Sequence, residues 1–243
     1  MADVAKVDNV ALASIAAVNG TAIASIAAIL GQTVPAGGIA LVQQKVGTTA
    51  DGSGTLYVNP DSTCTVGNTV IACLSFLDTA SFGEPVSCGG GSLTEAVTAT
   101  ITGVKVYIYY LYLTGAETEF FYGTDLPVRA SMHISEWSGL ANAAPENTQT
   151  NTDTNTAMSI AKNVDATSGN NLVIGIGGYV NATDAYSSGP NNSFTRLTAT
   201  GGASVFQECG YLIRTADHAV ISSDVTLSSS LAWANAGAAF GGA

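Results

Sequence analysis

Short runs of β-branched and aromatic residues, separated by Gly, Asn and Pro, follow one another along most of the chain. The densest lie in residues 104–139, where three such runs are separated by Thr114-Gly115 and by the segment 123–127. Val, Ile, Tyr and Phe fit a pleated surface, and the separating residues are typical of turns. The stretch is therefore predicted to form three consecutive strands against which the rest of the chain packs.

The first and third of these runs differ in their alternation. In the first, apolar and aromatic residues fill both sets of alternating positions, which predicts a strand with both faces covered. In the third, Ala130, Met132 and Ile134 alternate with a polar set, which predicts one apolar and one solvated face. The polar set is Arg129, Ser131, His133 and Ser135.

Similar runs recur at short intervals through the rest of the body, and no long helical period follows residue 31. We predict an all-β fold for residues 39–243, a two-sheet antiparallel sandwich that is jelly-roll-like. Residues 142–155 contain almost no large apolar side chain and are predicted to be an exposed loop. The remaining predicted strands are 39–46, 55–58, 68–77, 84–87, 93–100, 157–161, 172–180, 193–199, 204–214, 219–227 and 231–240.

Residues 1–31 contain an internal repeat, because residues 10–18 return as residues 21–29 with a period of eleven. Short helices ending at glycine and strands joined at Asn-Gly turns both fit this pattern. Neither is stable alone in water, so the segment is predicted to dock on its own body, on other copies or on another protein. Residues 32–38 are predicted to be a linker. The predicted attachment and oligomerisation residues are Leu12, Ile15, Val18, Ile23, Ile26 and Ile29.

The chain is acidic and poor in charge. Its 243 residues are 47% hydrophobic and 10% charged, with a net charge of -11 and only 7 Lys and Arg. Because so few cationic side chains cannot neutralise a phosphate backbone, nucleic acid and anionic membranes are not expected partners. We expect no secretory signal, because the chain does not open with a basic region, an apolar region and a small-residue cleavage site in that order. We also expect no membrane anchor, because the apolar run 22–30 is too short to span a bilayer.

Candidate chemistry is sparse. Cys64, Cys73, Cys88 and Cys209 lack the paired spacing of zinc or redox sites, so we expect free buried thiols and neither a metal nor a cofactor. No nucleophile accompanies either histidine, so His133 and His218 are predicted to be solvated. The acidic residues are scattered singly, and no catalytic residue is predicted.

Glu136 and Trp137 have two interpretations. A carboxylate beside an aromatic ring suits a carbohydrate, which makes the pair a candidate glycan-binding site. A Trp at such a position also closes the end of a hydrophobic core.

The body resembles a β-sandwich module of tailed-bacteriophage virion proteins. The likeness covers residues 39–240 and lies in Ile39-Ala-Leu-Val-Gln-Gln, the aromatic run 104–113, His133-Ile-Ser-Glu-Trp-Ser-Gly, Gly169-Asn-Asn-Leu-Val-Ile and the closing run 231–240. The opening repeat is similar to short Asn-Gly repeats at the N termini of phage head and tail appendage proteins. The resemblance implies a late structural protein assembled in the host cytoplasm, with no catalytic residue to carry over.

Two functions follow as expectations from this resemblance. The first is a non-enzymatic capsid decoration or fibre-like appendage on the virion surface, a homo-oligomer that contacts other capsid or tail proteins through its N-terminal arm. The second is a tail-tip module that recognises host surface glycans through exposed loops.

Overall fold

The structure is a computed structural model that describes residues 6–7, 10–11, 17–18, 21–22, 38–49, 54–77, 85–123, 129–166, 170–180, 186–188, 190–202, 205–214 and 218–243. The chain divides into two units, Met1–Gly38 and Ile39–Ala243. All regular secondary structure in the described ranges is β, as the sequence predicts.

The first unit contains two short antiparallel pairs of strands. β1 (Lys6–Val7) pairs with β2 (Val10–Ala11), and β3 (Ala17–Val18) pairs with β4 (Thr21–Ala22). Most of the repeat, including Leu12, Ile15, Ile23, Ile26 and Ile29, lies outside the described residues, as does the side chain of Val18.

The second unit forms three antiparallel sheets. Their orders are β10-β11-β7-β13-β5, β6-β12-β8-β9 and β14-β19-β15-β18-β17, and β16 pairs with β19 outside the last path. The strands are β5 (Ala40–Thr49), β6 (Thr55–Val58), β7 (Thr69–Leu77), β8 (Ser87–Cys88), β9 (Gly91–Ser92), β10 (Thr94–Ile101), β11 (Val104–Tyr112), β12 (Phe120–Gly123), β13 (Ala130–Ser138), β14 (Asn147–Ala166), β15 (Asn171–Val180), β16 (Tyr186–Ser188), β17 (Thr195–Gly202), β18 (Val205–Arg214) and β19 (His218–Gly241).

Three hydrophobic cores show how the sheets are layered. The first lies between the five-stranded and six-stranded sheets, where Val106 and Ile108 meet Ile174 and Ile176. The second lies on the opposite face of the five-stranded sheet, which the four-stranded sheet covers. The third covers the outer face of the six-stranded sheet. The two larger sheets therefore form a sandwich in which each outer face is also buried.

This layering confirms the prediction for the first central run, because the two faces of β11 enter different cores. Val104, Val106 and Ile108 belong to the first core, whereas Tyr107 and Tyr109 belong to the second. Strands with both faces buried have apolar residues at successive positions.

The prediction of a solvated face on the third run is wrong. Ser131, His133 and Ser135 are at most 1% exposed, because their side of β13 faces the six-stranded sheet. The Ser135 hydroxyl donates to the Ile71 carbonyl and accepts from the Trp137 indole N–H at 2.8 Å. Polar residues that form hydrogen bonds inside the sandwich therefore give the same alternation of apolar and polar positions as a strand with one face in water.

The predicted loop at residues 142–155 is also corrected, because residues 147–155 form the first half of β14. They pair with residues 231–239 of β19, from Asn147 opposite Ala239 to Asn155 opposite Leu231. Thr is β-branched and recurs at every second position here, which suits an edge strand whose side chains reach water. The segment is exposed or half-buried as expected, but it is regular.

After residue 155 the paired strands β14 and β19 bend and lie across the outer face of their own sheet. We call residues 157–166 and 218–227 the folded-back ribbon. Its approach is close enough that a Cβ at Gly175 would overlap the backbone carbonyl of Ile160, and one at Gly177 would lie 2.8 Å from the Ser159 carbonyl oxygen. The close approach of this backbone therefore explains why Gly175 and Gly177 carry no side chain.

Candidate functional site

A cleft of about 310 Å³ opens beside the edge strand β5. It is lined by Gln44, Lys45 and Val46 from β5, by His133 from the neighbouring strand β13 and by Leu197 from β17. In β5, Gln44 lies opposite Ser135 and Val46 lies opposite His133. Val46 is 36% exposed, so the apolar wall of the cleft is partly open to water.

His133 is almost completely buried at this cleft, and the prediction that it is solvated is wrong. One ring nitrogen, Nε2, lies 3.0 Å from the Gln44 side-chain oxygen, while Nδ1 has no hydrogen-bond partner among the described residues. Burial lowers the pKa of His133 to about 3, so the ring is neutral at physiological pH. The cleft therefore offers hydrogen-bonding groups and aliphatic surface without an imidazolium charge. The side chain of His218 lies outside the described residues.

The side chain of Gln207 forms hydrogen bonds across the first core, close to His133. The Gln207 side chain of β18 accepts from the Ser75 hydroxyl at 3.1 Å and donates to the Cys73 carbonyl at 3.2 Å. Its amide nitrogen also lies 2.9 Å from the sulfur of Cys209. A buried amide with partners on both sheets fixes their relative position. This role was missed by sequence analysis, although a Gln-Glu pair inside the apolar run 205–213 was a visible signal.

All four cysteines are buried free thiols in the structure. Burial raises the pKa of Cys64 to about 12, with Glu136 adding to the shift, and burial raises the pKa of Cys209 as well. Thiols whose pKa is raised are poor nucleophiles and poor metal ligands at neutral pH.

Glu136 and Trp137 point to opposite sides of β13, so they do not form a shared surface. Trp137 is completely buried in the first core, where it packs edge-to-face on Tyr211 with ring centroids 4.9 Å apart. No ring face is left open for a sugar, and the structure therefore does not support the sugar-stacking interpretation.

Glu136 instead binds strand β5 and the segment that connects β6 to β7. Its carboxylate accepts from the Gln43 side chain at 2.6 Å, the Thr65 backbone N–H at 2.8 Å and the Asn68 side chain at 2.6 Å. Burial opposes ionisation, but these three donors outweigh it and lower the pKa of Glu136. A charged carboxylate held by several donors is a structural anchor.

A second buried carboxylate lies on the outer face of the six-stranded sheet. Glu208 of β18 is fully buried and pairs with the half-exposed Arg196 of β17 at 2.6 Å. Burial raises the pKa of Glu208 to about 7, although Arg196 opposes the shift. No described residue pairs with its second oxygen or with the side-chain amide of buried Asn235.

These groups do not assemble into a recognisable catalytic or metal centre. The ranges that the structure describes contain no cluster of three His, Cys, Asp or Glu suited to a metal ion. Across the same ranges, no helix is long and apolar enough to cross a membrane. The attachment residues predicted in the repeat cannot be placed, as they fall in the part that is not described.

Comparison of the chain with protein-family models, with curated proteins and with solved structures found no match.

Proposed function

We propose that this chain is a non-enzymatic structural protein displayed on the surface of a bacteriophage virion, as a capsid decoration or a fibre-like appendage. In this proposal residues 1–31 attach it to other virion proteins or to further copies. Residues 39–243 form the displayed body, and assembly takes place in the host cytoplasm.

The division of the chain at Gly38 carries the proposal. The second unit begins at Ile39, which already belongs to the first core, and it contains all three cores described above. A body with its own closed cores does not need the repeat in order to bury its apolar surface. The repeat has six regularly spaced aliphatic residues, each worth roughly 1.5 to 3 kcal/mol when fully buried, and in this proposal their burial against a partner holds the chain in place.

The composition of the body fits a displayed module. Only 10% of the chain is charged, and Ser, Thr, Asn and Gly supply much of its polar surface. The chain also completes the five-stranded sheet before it begins the six-stranded one. Because a jelly roll alternates between its sheets, we retain the sandwich and not the jelly-roll connectivity in this proposal.

The experiment compares the full chain with a shortened chain that begins at Gly37. The shortened protein is expected to keep the thermal unfolding of the body and to lose binding to purified virions, measured by co-sedimentation. Replacing both Ile15 and Ile26 with Asp should reproduce that loss, whereas replacing both with Val should not. Unfolding of the shortened body would overturn the proposal, because the repeat would then belong to the sandwich.

A second candidate, a tail-tip module that binds host glycans, is favoured by the cleft beside β5. Its aliphatic wall and its Gln44 side chain suit a sugar ring with hydroxyl groups. Copy number per virion separates the two functions, since decoration requires many copies and a tail tip few. A glycan array with the wild type and a Gln44→Ala variant tests the cleft directly.

A further inference from the structure

The first half of β14 is an open edge of the six-stranded sheet. Residues 147–155 pair on one side with β19, and no other described strand lies beside them in the sheet order. One side of an edge strand carries N–H and C=O groups that no neighbouring strand uses. Such an edge is a template for another strand.

This edge lacks the usual protection against pairing. The nine residues Asn-Thr-Gln-Thr-Asn-Thr-Asp-Thr-Asn contain no Lys, Arg or Pro, and Asp153 is their one charged residue. Natural edge strands are commonly protected by lysine, proline or bulges. All nine side chains are exposed or half-buried, so a partner strand can reach them.

The segment is also self-complementary. Its sequence reads the same in both directions except that Gln149 and Asp153 exchange places. If two copies pair antiparallel about a two-fold axis at Asn151, Thr148 lies opposite Thr154 and Thr150 lies opposite Thr152. Thr-Thr pairs across antiparallel strands are favourable, and an isologous contact of this kind closes as a dimer.

Charge disfavours one competing register. With the axis at Asn151, each Asp153 faces Gln149 of the second copy, whose amide can donate to the carboxylate. With the axis at Asp153, two carboxylates would face each other, which is unfavourable. Within one copy, and among the described residues, Asp153 accepts from the Thr154 backbone N–H and the Asn155 amide, both at 2.7 Å. A carboxylate has about four acceptor positions, so Gln149 of a second copy can be added.

We propose that residues 147–155 pair antiparallel with the same residues of a second copy about Asn151, joining two six-stranded sheets into one continuous sheet. This contact is separate from the N-terminal attachment, so either proposal can fail without the other.

Cysteine cross-linking of the full chain tests the register. In the proposed dimer the two residues at position 151 face each other with Cβ atoms about 5 Å apart, which a disulfide can bridge with a small adjustment. Two residues at position 154 are displaced by six positions, or roughly 20 Å. Under a copper-phenanthroline oxidant, Asn151→Cys should give at least tenfold more covalent dimer than Thr154→Cys. Equal yields, or no dimer from Asn151→Cys, would overturn the proposal.

A charge exchange at the facing positions 150 and 152 provides an independent measurement. Changing both residues to Lys places like charges opposite each other and should raise the dimer dissociation constant at least tenfold. Changing Thr150 to Lys and Thr152 to Glu places opposite charges there and should restore the dimer, measured by sedimentation velocity. The melting temperatures check that both variants are folded. A wild-type chain without the dimer, or equal dissociation constants for the two variants, would contradict the pairing.

Discussion

The buried histidine predicts a specific dependence of stability on pH. In the folded protein the pKa of His133 is lowered to about 3 by burial, whereas an unfolded chain has a histidine pKa near 6.5. The unfolded state therefore takes up a proton at a higher pH than the folded state. Acidification through pH 6.5 should favour unfolding, and this contribution should vanish above that pH.

The size of this contribution follows from the difference between the two pKa values. At pH 5 the unfolded pKa lies about 1.5 units above the pH, and the folded ring is still neutral. Each unit corresponds to about 1.36 kcal/mol, so the loss relative to pH 7 is about 2 kcal/mol. That is a substantial part of the 5 to 15 kcal/mol typical of a folded domain.

The assay is urea unfolding of the wild type and of His133→Gln at pH 7 and pH 5. Glutamine retains a donor for the Gln44 side-chain oxygen but does not titrate, so the stability difference between the two proteins should change by about 2 kcal/mol in favour of the variant at pH 5. His218→Gln is the matched control and should leave the His133 contribution in place. If the difference between wild type and His133→Gln is the same at both pH values, the ring is not buried as described.

Three further predictions concern the packing and the other buried groups. Gly175→Ala should destabilise the body by about 3 kcal/mol or more, because its Cβ would overlap the Ile160 backbone, whereas Gly123→Ala has open space and should cost less than about 1 kcal/mol in thermal unfolding. The pKa of Glu208 is about 7 in the folded protein and near 4.5 in the unfolded chain, so the folded state binds the proton more tightly. The free energy of unfolding should therefore rise by about 2 kcal/mol between pH 7 and pH 5. Urea unfolding should show that Glu208→Gln lacks this rise. The four buried thiols should resist a thiol reagent in the native protein and all react after unfolding, and rapid native labelling of Cys73 or Cys209 would contradict the first core.

The strands were predictable where side-chain chemistry alone determines burial. The run 55–58 was predicted at its observed bounds, and the two apolar sets of β11 enter the two cores as their alternation indicates. In both cases large apolar residues need a covered face whatever the topology is.

The errors have a common physical origin, because the location of a polar residue depends on partners that are distant in the chain. Ser75 and Gln207 satisfy each other across the sandwich, and Glu136 finds its donors at Gln43, Thr65 and Asn68. Residues 147–155 have no apolar side chain, so only their pairing with β19 identifies them as a strand. The His133 cleft and the open edge of β14 likewise depend on strand order, which one sequence does not provide.

The position of β19 has a consequence for how the body is made. This strand follows all the other described strands in the chain, yet it lies between β14 and β15 in the six-stranded sheet. The strands of the five-stranded sheet can therefore leave the ribosome early. The apolar face of this sheet that packs against the six-stranded sheet stays partly uncovered until residues 231–241 have been synthesised. Contacts between such distant segments form slowly, and exposed apolar surface attracts chaperones or promotes aggregation in the meantime. A ribosome that stalls shortly before residue 231 should yield an insoluble product although most of the body has been translated.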